Sequence, residues 1–442
     1  MTDGIMGFSP ETFEARRARV LEKLDGGMMI LTSAPTVFRS RDTAHRYRPD
    51  SELFYLTGCT HPGVVALFYE GGGEDRFSLF VPPREPKAER WSGPRMGPEA
   101  ARERFGADSA YSAEELEERL PELLHRPSRL YFRLGHDPRI EPLVVEALHW
   151  SRARGARKGE GPRAVVDPGQ ILDELRLRKD PEEIVRIKQA TSLTVAGFRE
   201  AMAGTRPGMG EWEIESLLES AFRRAGATGP AFPTIVGSGR NACTLHYADN
   251  EHTIHEGELV LLDAGAEVDL YAGDVSRTFP AGGRFSGPQK AVYEAVLAAH
   301  QAALKVVRPG TLASEVHQTA LNTLISGLVE LEVLAGDRDL LMEEKSYERF
   351  FPHQTSHWLG LDVHDVGDYG EGGTPRPLEE GMVLTVEPGL YFSALEEDPV
   401  SRFSGIGVRI EDDVLVTREG AVNLTEGVPV SVAEVEDLVG SA

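Results

Sequence analysis

Five side chains of types that bind metal ions lie in the second half of the sequence. Four are carboxylates and one is an imidazole: Asp263, Asp274, His357, Glu387 and Glu411. Oxygen ligands with a single nitrogen suit hard or borderline divalent ions such as Mn²⁺, whereas structural zinc sites rely on thiolates. We therefore predict that these five residues converge on a pair of metal ions.

Two of these carboxylates end apolar stretches of the same pattern. Gly257 precedes Asp263 by six residues in GELVLLD, and Gly381 precedes Glu387 by six residues in GMVLTVE. Each stretch predicts a buried strand that ends on an acid. Each is followed by a second predicted strand that carries the next carboxylate of the set.

A second internal repeat surrounds these strands. RPG at 206–208 recurs at 308–310, an offset of 102 residues at which Glu213 falls on Glu315. Each RPG is predicted to join two helices, and the run from Asp180 to Glu183 signals the start of the first. Two similar halves, each with two helices and a hairpin, would place four carboxylates face to face. Chance similarity is the alternative explanation.

Four carboxylates that meet in one cleft would repel each other, and their burial would be costly. Two divalent cations, about 3.5–4 Å apart in such sites, remove that cost and make hydroxide available near neutral pH. Each residue alone also has a structural explanation. Asp263 and Asp274 are compatible with turns, His353 and His357 with one helix face, and Glu411 with an exposed acidic run.

The first part of the chain predicts a small α/β domain. Apolar stretches at 28–31, 64–69, 77–81 and 130–132 predict strands, and helical stretches such as 113–124 lie between them. We place this domain at residues 1–170 and the second domain at residues 171–442. The fold class is therefore a two-domain α/β protein.

Two features of the first domain have open interpretations. YRPDSELFYLTG, residues 47–58, is dense in aromatic and polar side chains and is not a clean strand. It is either a packed connection or a lip over the active site. Trp91 lies among charged residues and glycines, so it is either a contact residue or part of the packing.

Composition excludes several classes of protein. The 442 residues include 71 acidic and 47 basic side chains, a formal charge of −24, which argues against a nucleic-acid partner. Cys59 and Cys243, the two cysteines, have no metal-binding or redox spacing, and a reduced, cytoplasmic setting fits them. The N-terminus lacks an apolar signal segment, and no apolar run approaches the length of a membrane span.

With these motifs in place, the C-terminal part resembles the pita-bread metallopeptidases over roughly residues 180–440. This superfamily includes methionine aminopeptidase, aminopeptidase P, prolidase and creatinase. The N-terminal part resembles the extra domain of aminopeptidase P and prolidase, which methionine aminopeptidases lack. Creatinase shares the fold without the metal ligands. The resemblance implies a pseudo-twofold α+β catalytic domain and a dinuclear site, usually occupied by Mn²⁺.

The resemblance also implies residue roles. Asp263 would chelate one ion, Asp274 and Glu411 would bridge both, and His357 and Glu387 would complete the other. A metal-bridging hydroxide would be the nucleophile, with Glu387 as its proton shuttle. Histidines would surround the substrate: His246 and His364 would contact it and stabilise the tetrahedral intermediate, and His353 would line the proline side. Arg409 would hold a bridging carboxylate in place.

The expected reaction is hydrolysis of the bond between any N-terminal residue and a following proline. That bond has no amide N–H, and its φ is fixed by the ring. The alternative is a dipeptidase (prolidase), which needs a cation for the proline carboxylate. HWLGLDVHDVG favours the aminopeptidase, and 370–381 carries only Arg376, whereas a prolidase-like insertion before Arg402 favours the dipeptidase.

A peptide-binding module without catalysis is a further alternative, but such relatives usually lose metal ligands. The resemblance also implies a homo-oligomer, a dimer or tetramer, in which Trp91 reaches a neighbouring active site. The predicted partners are thus peptides with proline in second position, and neither nucleic acid nor a membrane.

Overall fold

The computed structural model describes residues 5–73, 75–155, 160–371, 373–393 and 401–442. The chain separates into two compact units, Met1–Leu175 and Arg176–Ala442. This confirms the predicted two-domain architecture. The boundary predicted between residues 170 and 171 stays a prediction.

The first unit is built on a six-stranded mixed sheet in the order β6-β5-β4-β1-β7-β8. The strands of this sheet are β1 (Met28–Thr32), β4 (Val65–Tyr69), β5 (Phe77–Val81), β6 (Ser109–Ser112), β7 (Leu130–Tyr131) and β8 (Val165–Val166), whereas β2 (Phe38–Ser40) and β3 (Thr43–Ala44) form a separate two-stranded sheet. The helices of the unit are α1 (Pro10–Lys23), α2 (Ser51–Thr57), α3 (Pro86–Ser92), α4 (Gly97–Phe105), α5 (Leu116–Leu123) and α6 (Glu141–Gly155), and the boundary between the two units falls within α7 (Gly169–Leu177). The four predicted strands and the helix near 113–124 are therefore present.

The aromatic segment at residues 47–58 contains the short helix α2, all seven residues of which are buried. Asp50 caps it, because its carboxylate accepts a hydrogen bond from the Leu53 N–H at 2.8 Å. The guanidinium of Arg16 lies over the Tyr55 ring, 4.1 Å from the centroid. These contacts favour the packing interpretation of the segment. In contrast, Trp91 on α3 is 93 % exposed.

The second unit is organised around two helix pairs, each with a three-stranded sheet, β10-β11-β14 or β17-β20-β21, and its described residues also form smaller sheets, β13-β12-β9, β15-β16 and β18-β19. Its helices are α8 (Pro181–Gly204), α9 (Glu211–Arg224), α10 (Gly287–Val306), α11 (Ala313–Glu330), α12 (Arg338–Glu343) and α13 (Val432–Leu438). Its strands are β9 (Gly229–Pro230), β10 (Ile235–Ser238), β11 (Leu259–Ala264), β12 (Ala266–Val268), β13 (Tyr271–Ala272), β14 (Val275–Pro280), β15 (Gly370–Glu371), β16 (Thr374–Pro375), β17 (Val383–Val386), β18 (Gly389–Tyr391), β19 (Gly407–Arg409), β20 (Asp412–Thr417) and β21 (Gly420–Asn423).

The predicted internal repeat matches this arrangement. The RPG at 206–208 joins α8 to α9, and the RPG at 308–310 joins α10 to α11. Asp180 starts α8 as predicted, since its carboxylate accepts from the Glu182 and Glu183 N–H groups at 2.9 Å each. Each helix pair is accompanied by an antiparallel sheet, so the unit is a pseudo-twofold α+β structure.

The state of the two cysteines bears on the redox setting, and the length and apolar character of the helices bear on membrane insertion. Cys59 and Cys243 are both free thiols. None of the helices that the structure describes combines the length and apolar character required to cross a membrane.

Candidate metal centre

The nine side chains predicted to form the site all line one cleft of the second unit, with a volume of about 1080 Å³. They are His246, Asp263, Asp274, His353, His357, His364, Glu387, Arg409 and Glu411. Strand geometry brings the carboxylates together. Asp263 lies in β11 opposite Ser276 of β14, and Asp274 immediately precedes β14. In the other sheet, Glu387 directly follows β17 and Glu411 directly precedes β20.

Ligand atoms of Asp274, His357 and Glu411 all lie within 4.8 Å of one another. His357 Nε2 is 3.4 Å from Asp274 Oδ2 and 3.7 Å from Glu387 Oε1. His357 Nδ1 must carry its proton, because it lies 3.0 Å from the Trp358 carbonyl oxygen, which only accepts. In the neutral imidazole the lone pair is therefore on Nε2, which faces the carboxylates, as metal binding requires.

The carboxyl groups are crowded enough to resist ionisation without a cation. Burial raises the pKa of Asp274 well above its usual range, and the charge of Asp263 raises it further. Burial likewise raises the pKa of Glu411, with Asp274 adding to the effect. For Glu387, burial raises the pKa to about 7. The nearby positive charge of a divalent ion would favour the ionised form of all three groups.

Asp263 gives the most direct indication that a cation belongs here. Its Oδ1 atom is buried and has no hydrogen-bond partner, whereas its Oδ2 accepts from Arg409 Nη2 at 2.5 Å. A buried carboxylate oxygen without a donor is costly. The residues present therefore fit a divalent metal ion, and the oxygen-rich donor set is of the predicted kind.

Arg409 connects several of these groups. Besides Asp263, it donates through Nε to Ser276 Oγ at 2.7 Å, and Ser276 Oγ donates to Glu411 Oε2 at 2.8 Å. Its link to Glu411, one of the two expected bridging carboxylates, therefore passes through Ser276. Arg409 Nη1 also donates to the Tyr391 hydroxyl at 3.1 Å.

The sequence analysis missed Ser276 and Tyr391. Ser276 shares a strand face with Asp274 because side chains two residues apart point the same way, so the period of the strand could have indicated it. Tyr391 gave no such signal. Its hydroxyl lies 2.9 Å from His353 Nε2, and its backbone N–H donates to the Phe350 carbonyl at 2.9 Å, in the segment that leads to His353.

Two further histidines of the cleft carry little positive charge at neutral pH. Burial lowers the pKa of His353 to about 3, with Arg409 contributing. Burial also lowers the pKa of His364, whose ring centroid is 4.4 Å from that of His357. His353 and His357 lie in irregular backbone, so the alternative that they share a helix face is wrong. So is the alternative that Glu411 belongs to an exposed run, since its exposed fraction is 2 %.

His317 was also missed. It lines the same cleft from α11, and its Nδ1 lies 2.9 Å from Thr355 Oγ1. Burial lowers the pKa of its imidazole. Because it lies on a helix distant in sequence from the predicted ligands, only the folded structure places it here.

A buried ion-pair cluster supports the segment that carries His364. Asp365 Oδ2 accepts from Lys179 Nζ at 2.9 Å, and its Oδ1 accepts from Arg176 Nη2 at 2.5 Å. Burial alone would raise the pKa of Asp365, but the two cations hold it below its usual value. The backbone N–H of Asp365 donates to the Trp358 carbonyl at 2.9 Å, which closes the segment between His357 and His364.

We expect Lys179→Met to destabilise the protein by about 3 kcal/mol, because the buried Asp365 carboxylate loses one of its two cations and keeps Arg176 alone. Urea unfolding monitored by circular dichroism measures the change. Lys345→Met is the matched control, since Lys345 pairs with Glu348 at the surface, where its side chain is 66 % exposed. Equal stability of the two variants would contradict a structural role for the Lys179 pair.

Comparison with known proteins places this geometry in context. Residues 185–418 match Metallopeptidase family M24, and residues 13–131 match Aminopeptidase P, N-terminal domain. The chain is 40 % identical to Xaa-Pro aminopeptidase of Escherichia coli (strain K12), covering 98 % of each chain. It is 31 % identical to human Xaa-Pro dipeptidase, over 96 % of this chain and 92 % of the relative.

Among solved structures, an aminopeptidase from Pseudomonas aeruginosa superposes with a TM-score of 0.93 at 40 % identity, covering 98 % of each chain. The likeness therefore extends over both units and includes the segments that carry the nine cleft residues. The chain belongs to metallopeptidase family M24, with the N-terminal domain of the aminopeptidase P proteins.

Proposed function

We propose that this protein is an Xaa-Pro aminopeptidase, which releases the first residue of peptides that carry proline in second position. The observation that carries this proposal is the convergence of all five predicted metal ligands in one cleft. Full-length similarity to Xaa-Pro aminopeptidases supports it and favours it over the dipeptidase. A non-catalytic binding module is disfavoured, because the ligand set is complete.

We further propose that the site holds two divalent ions, Mn²⁺ in the cell. Asp263 would bind one ion, and His357 and Glu387 would bind the other. Asp274 and Glu411 would each bind both ions. When bound, such ions act as Lewis acids on the scissile carbonyl and lower the pKa of water. Four carboxylates and one imidazole support Mn²⁺, and Arg409 would keep Asp263 oriented.

The chain's own residues then perform the remaining chemistry. Glu387 takes a proton from a water molecule while the oxygen of that water forms a bond to the carbonyl carbon. The same carboxyl gives that proton to the proline nitrogen as the C–N bond breaks. His246 and His364 donate hydrogen bonds to the substrate and its developing negative charge. The products are a free amino acid and a peptide that begins with proline.

The cations available in the cleft bear on which of the two peptidase activities the protein has. Among the described residues that line the cleft, Arg409 is the only arginine or lysine, and it is bound to Asp263. Arg402, considered as a carboxylate anchor, instead donates to the Leu331 carbonyl at 2.6 Å and is absent from the lining. Most of the prolidase-like insertion, residues 394–400, lies outside the described residues. A free cation for a dipeptide's proline carboxylate is therefore lacking in the described lining.

We expect the metal-loaded protein to cleave Xaa-Pro-Yaa tripeptides and to act poorly on Xaa-Pro dipeptides. Liquid chromatography of the released amino acid, after chelation and return of Mn²⁺, measures both rates. Xaa-Ala-Yaa tripeptides are the control for proline specificity. Cleavage of dipeptides alone would show that the protein is a dipeptidase.

Three finer properties complete the proposal. A cytoplasmic location is supported by the two free thiols. A homo-oligomer, a dimer or tetramer, is supported by α3, which buries none of its residues and presents Trp91. The excess of acidic side chains disfavours nucleic acid as a partner.

A further inference from the structure

His246 lies on a connection with little regular structure of its own. Residues 239–252, the His246 loop, begin with a short 3₁₀ turn, Gly239–Cys243, and continue without a helix or strand. His246 is exposed to the cleft, which its side chain lines together with Asp263 and Asp274. A side chain on such a loop needs support from elsewhere to hold a fixed position.

A single buried carboxylate supplies that support. Glu211, the first residue of α9, is completely buried. Its Oε1 accepts from Ser238 N at 2.7 Å, Ser238 Oγ at 2.7 Å and Asn241 Nδ2 at 3.2 Å. Its Oε2 accepts from the Tyr247 hydroxyl at 2.8 Å and from His252 N at 2.9 Å. Five donors thus converge on one side chain.

These donors are distributed along the whole loop. Ser238 precedes its first residue, His252 is its last, and Tyr247 directly follows His246. The backbone N–H of Glu211 also donates to the His252 carbonyl at 2.9 Å, which closes the loop against the start of α9. The carboxylate therefore fixes both ends of the loop and the residue next to His246.

No arginine or lysine forms an ion pair with Glu211 within the described part of the chain. A buried carboxylate without a cation is tolerated only when hydrogen bonds replace its hydration. The loop and the carboxylate consequently stabilise each other. Glutamine at this position would replace one carboxylate oxygen by an NH₂ group. That group cannot accept the hydrogen bonds that the oxygen accepts from the loop.

We propose that Glu211 is a positioning residue for the peptidase reaction, and that it acts by holding His246 against the substrate. The proposal rests on the Xaa-Pro aminopeptidase activity inferred above. It assigns to Glu211 no contact with substrate or metal. Substitution of Glu211 should therefore have no effect on turnover in a protein that lacks the His246 imidazole.

A double-mutant cycle tests this assignment. Glu211→Gln should lower kcat/KM for an Xaa-Pro tripeptide by about 10–100-fold, the cost of misplacing a group near the reacting atoms. In the His246→Ala background the same substitution should change kcat/KM by less than about twofold. Metal content per chain should be unchanged. An equal fold-change in both backgrounds, or none in the wild-type background, would overturn the proposal.

Glu183→Gln is the matched control. Glu183 is similarly buried, but it bonds the Tyr271 hydroxyl at 3.0 Å and the Asp180 N–H at 2.9 Å, groups of the α8 and β13 region rather than of the His246 loop. Its substitution should change kcat/KM by the same factor with and without His246. If Glu211→Gln fails to fold, Tyr247→Phe removes one donor only and should show the same dependence on His246.

Hydrogen exchange provides a readout that does not depend on turnover. Amides of residues 239–252 should exchange about tenfold faster in Glu211→Gln than in the wild type, and at the wild-type rate in Glu183→Gln. Unchanged exchange in the loop would contradict the proposal even if activity falls. The rate of the wild-type protein on Xaa-Pro peptides tests the proposed function separately. Failure of the proposed function is therefore distinguishable from failure of the role proposed for Glu211.

Discussion

Glu387→Gln is expected to lower kcat on an Xaa-Pro tripeptide by about 10²–10⁴-fold, the usual contribution of a general acid–base group. Burial raises the pKa of Glu387 to about 7, with His357 and Arg409 opposing the shift and Asp274 and Asp263 adding to it. That shift belongs to the metal-free site; bound cations favour the ionised form of Glu387, which is the form that can accept a proton from water. Glutamine keeps the shape and a carbonyl oxygen but cannot carry the proton.

Steady-state kinetics at saturating Mn²⁺ measure the effect, with the metal content of each protein determined by mass spectrometry. Glu379→Gln is the control, because Glu379 precedes the same strand but pairs with Arg178 at the surface at 2.7 Å and does not line the cleft. Its kcat should match that of the wild type. A Glu387→Gln protein with full metal content and near-normal kcat would contradict the proton-transfer role.

Local patterns were sufficient to predict the strands that carry the carboxylates. Asp263 and Glu387 each end an apolar stretch, and that stretch is a buried strand in each case. The start of helix α8 was equally predictable, since Asp180 and Glu183 form a capping box and Pro181 occupies the first helical position. Where neighbouring residues determine the structure, the sequence was informative.

Long-range hydrogen bonds were not predictable in this way. The donors to Glu211 lie 27 to 41 residues further along the chain, and a glutamate early in a helix is ordinarily a dipole-compatible surface residue. The hydroxyl of Tyr391 meets Arg409 only because β18 and β19 pair. The spacing of His353 and His357 is compatible with a helix, and only the irregular backbone around them excludes it. These contacts depend on tertiary packing, which no local pattern encodes.

Removal of the metal should abolish turnover and leave a protein whose stability falls as pH rises from about 5 to 8. The ordinary pKa of 4.5 for Glu387 rises to about 7 in the fold, chiefly through burial. Because the pKa of Glu387 is higher in the folded state than in the unfolded state, its contribution to the free energy of unfolding is fully present at pH values below the unfolded-state pKa. That contribution is lost as pH rises through the folded pKa. At about 1.4 kcal/mol per pKa unit, Glu387 alone accounts for about 3 kcal/mol.

The difference in Tm between metal-loaded and chelated protein isolates this effect. Groups elsewhere, such as Asp365 with its lowered pKa, titrate in both forms and cancel. This Tm difference should widen as pH rises. In the loaded protein the bound cations offset the charge of the ionised carboxylates, whereas in the chelated protein the ionised carboxylates repel each other. Chelated Glu387→Gln should show a shallower pH dependence than the chelated wild type, because a neutral amide does not titrate. Parallel curves for the loaded and chelated proteins would show that these carboxylates do not share a cation.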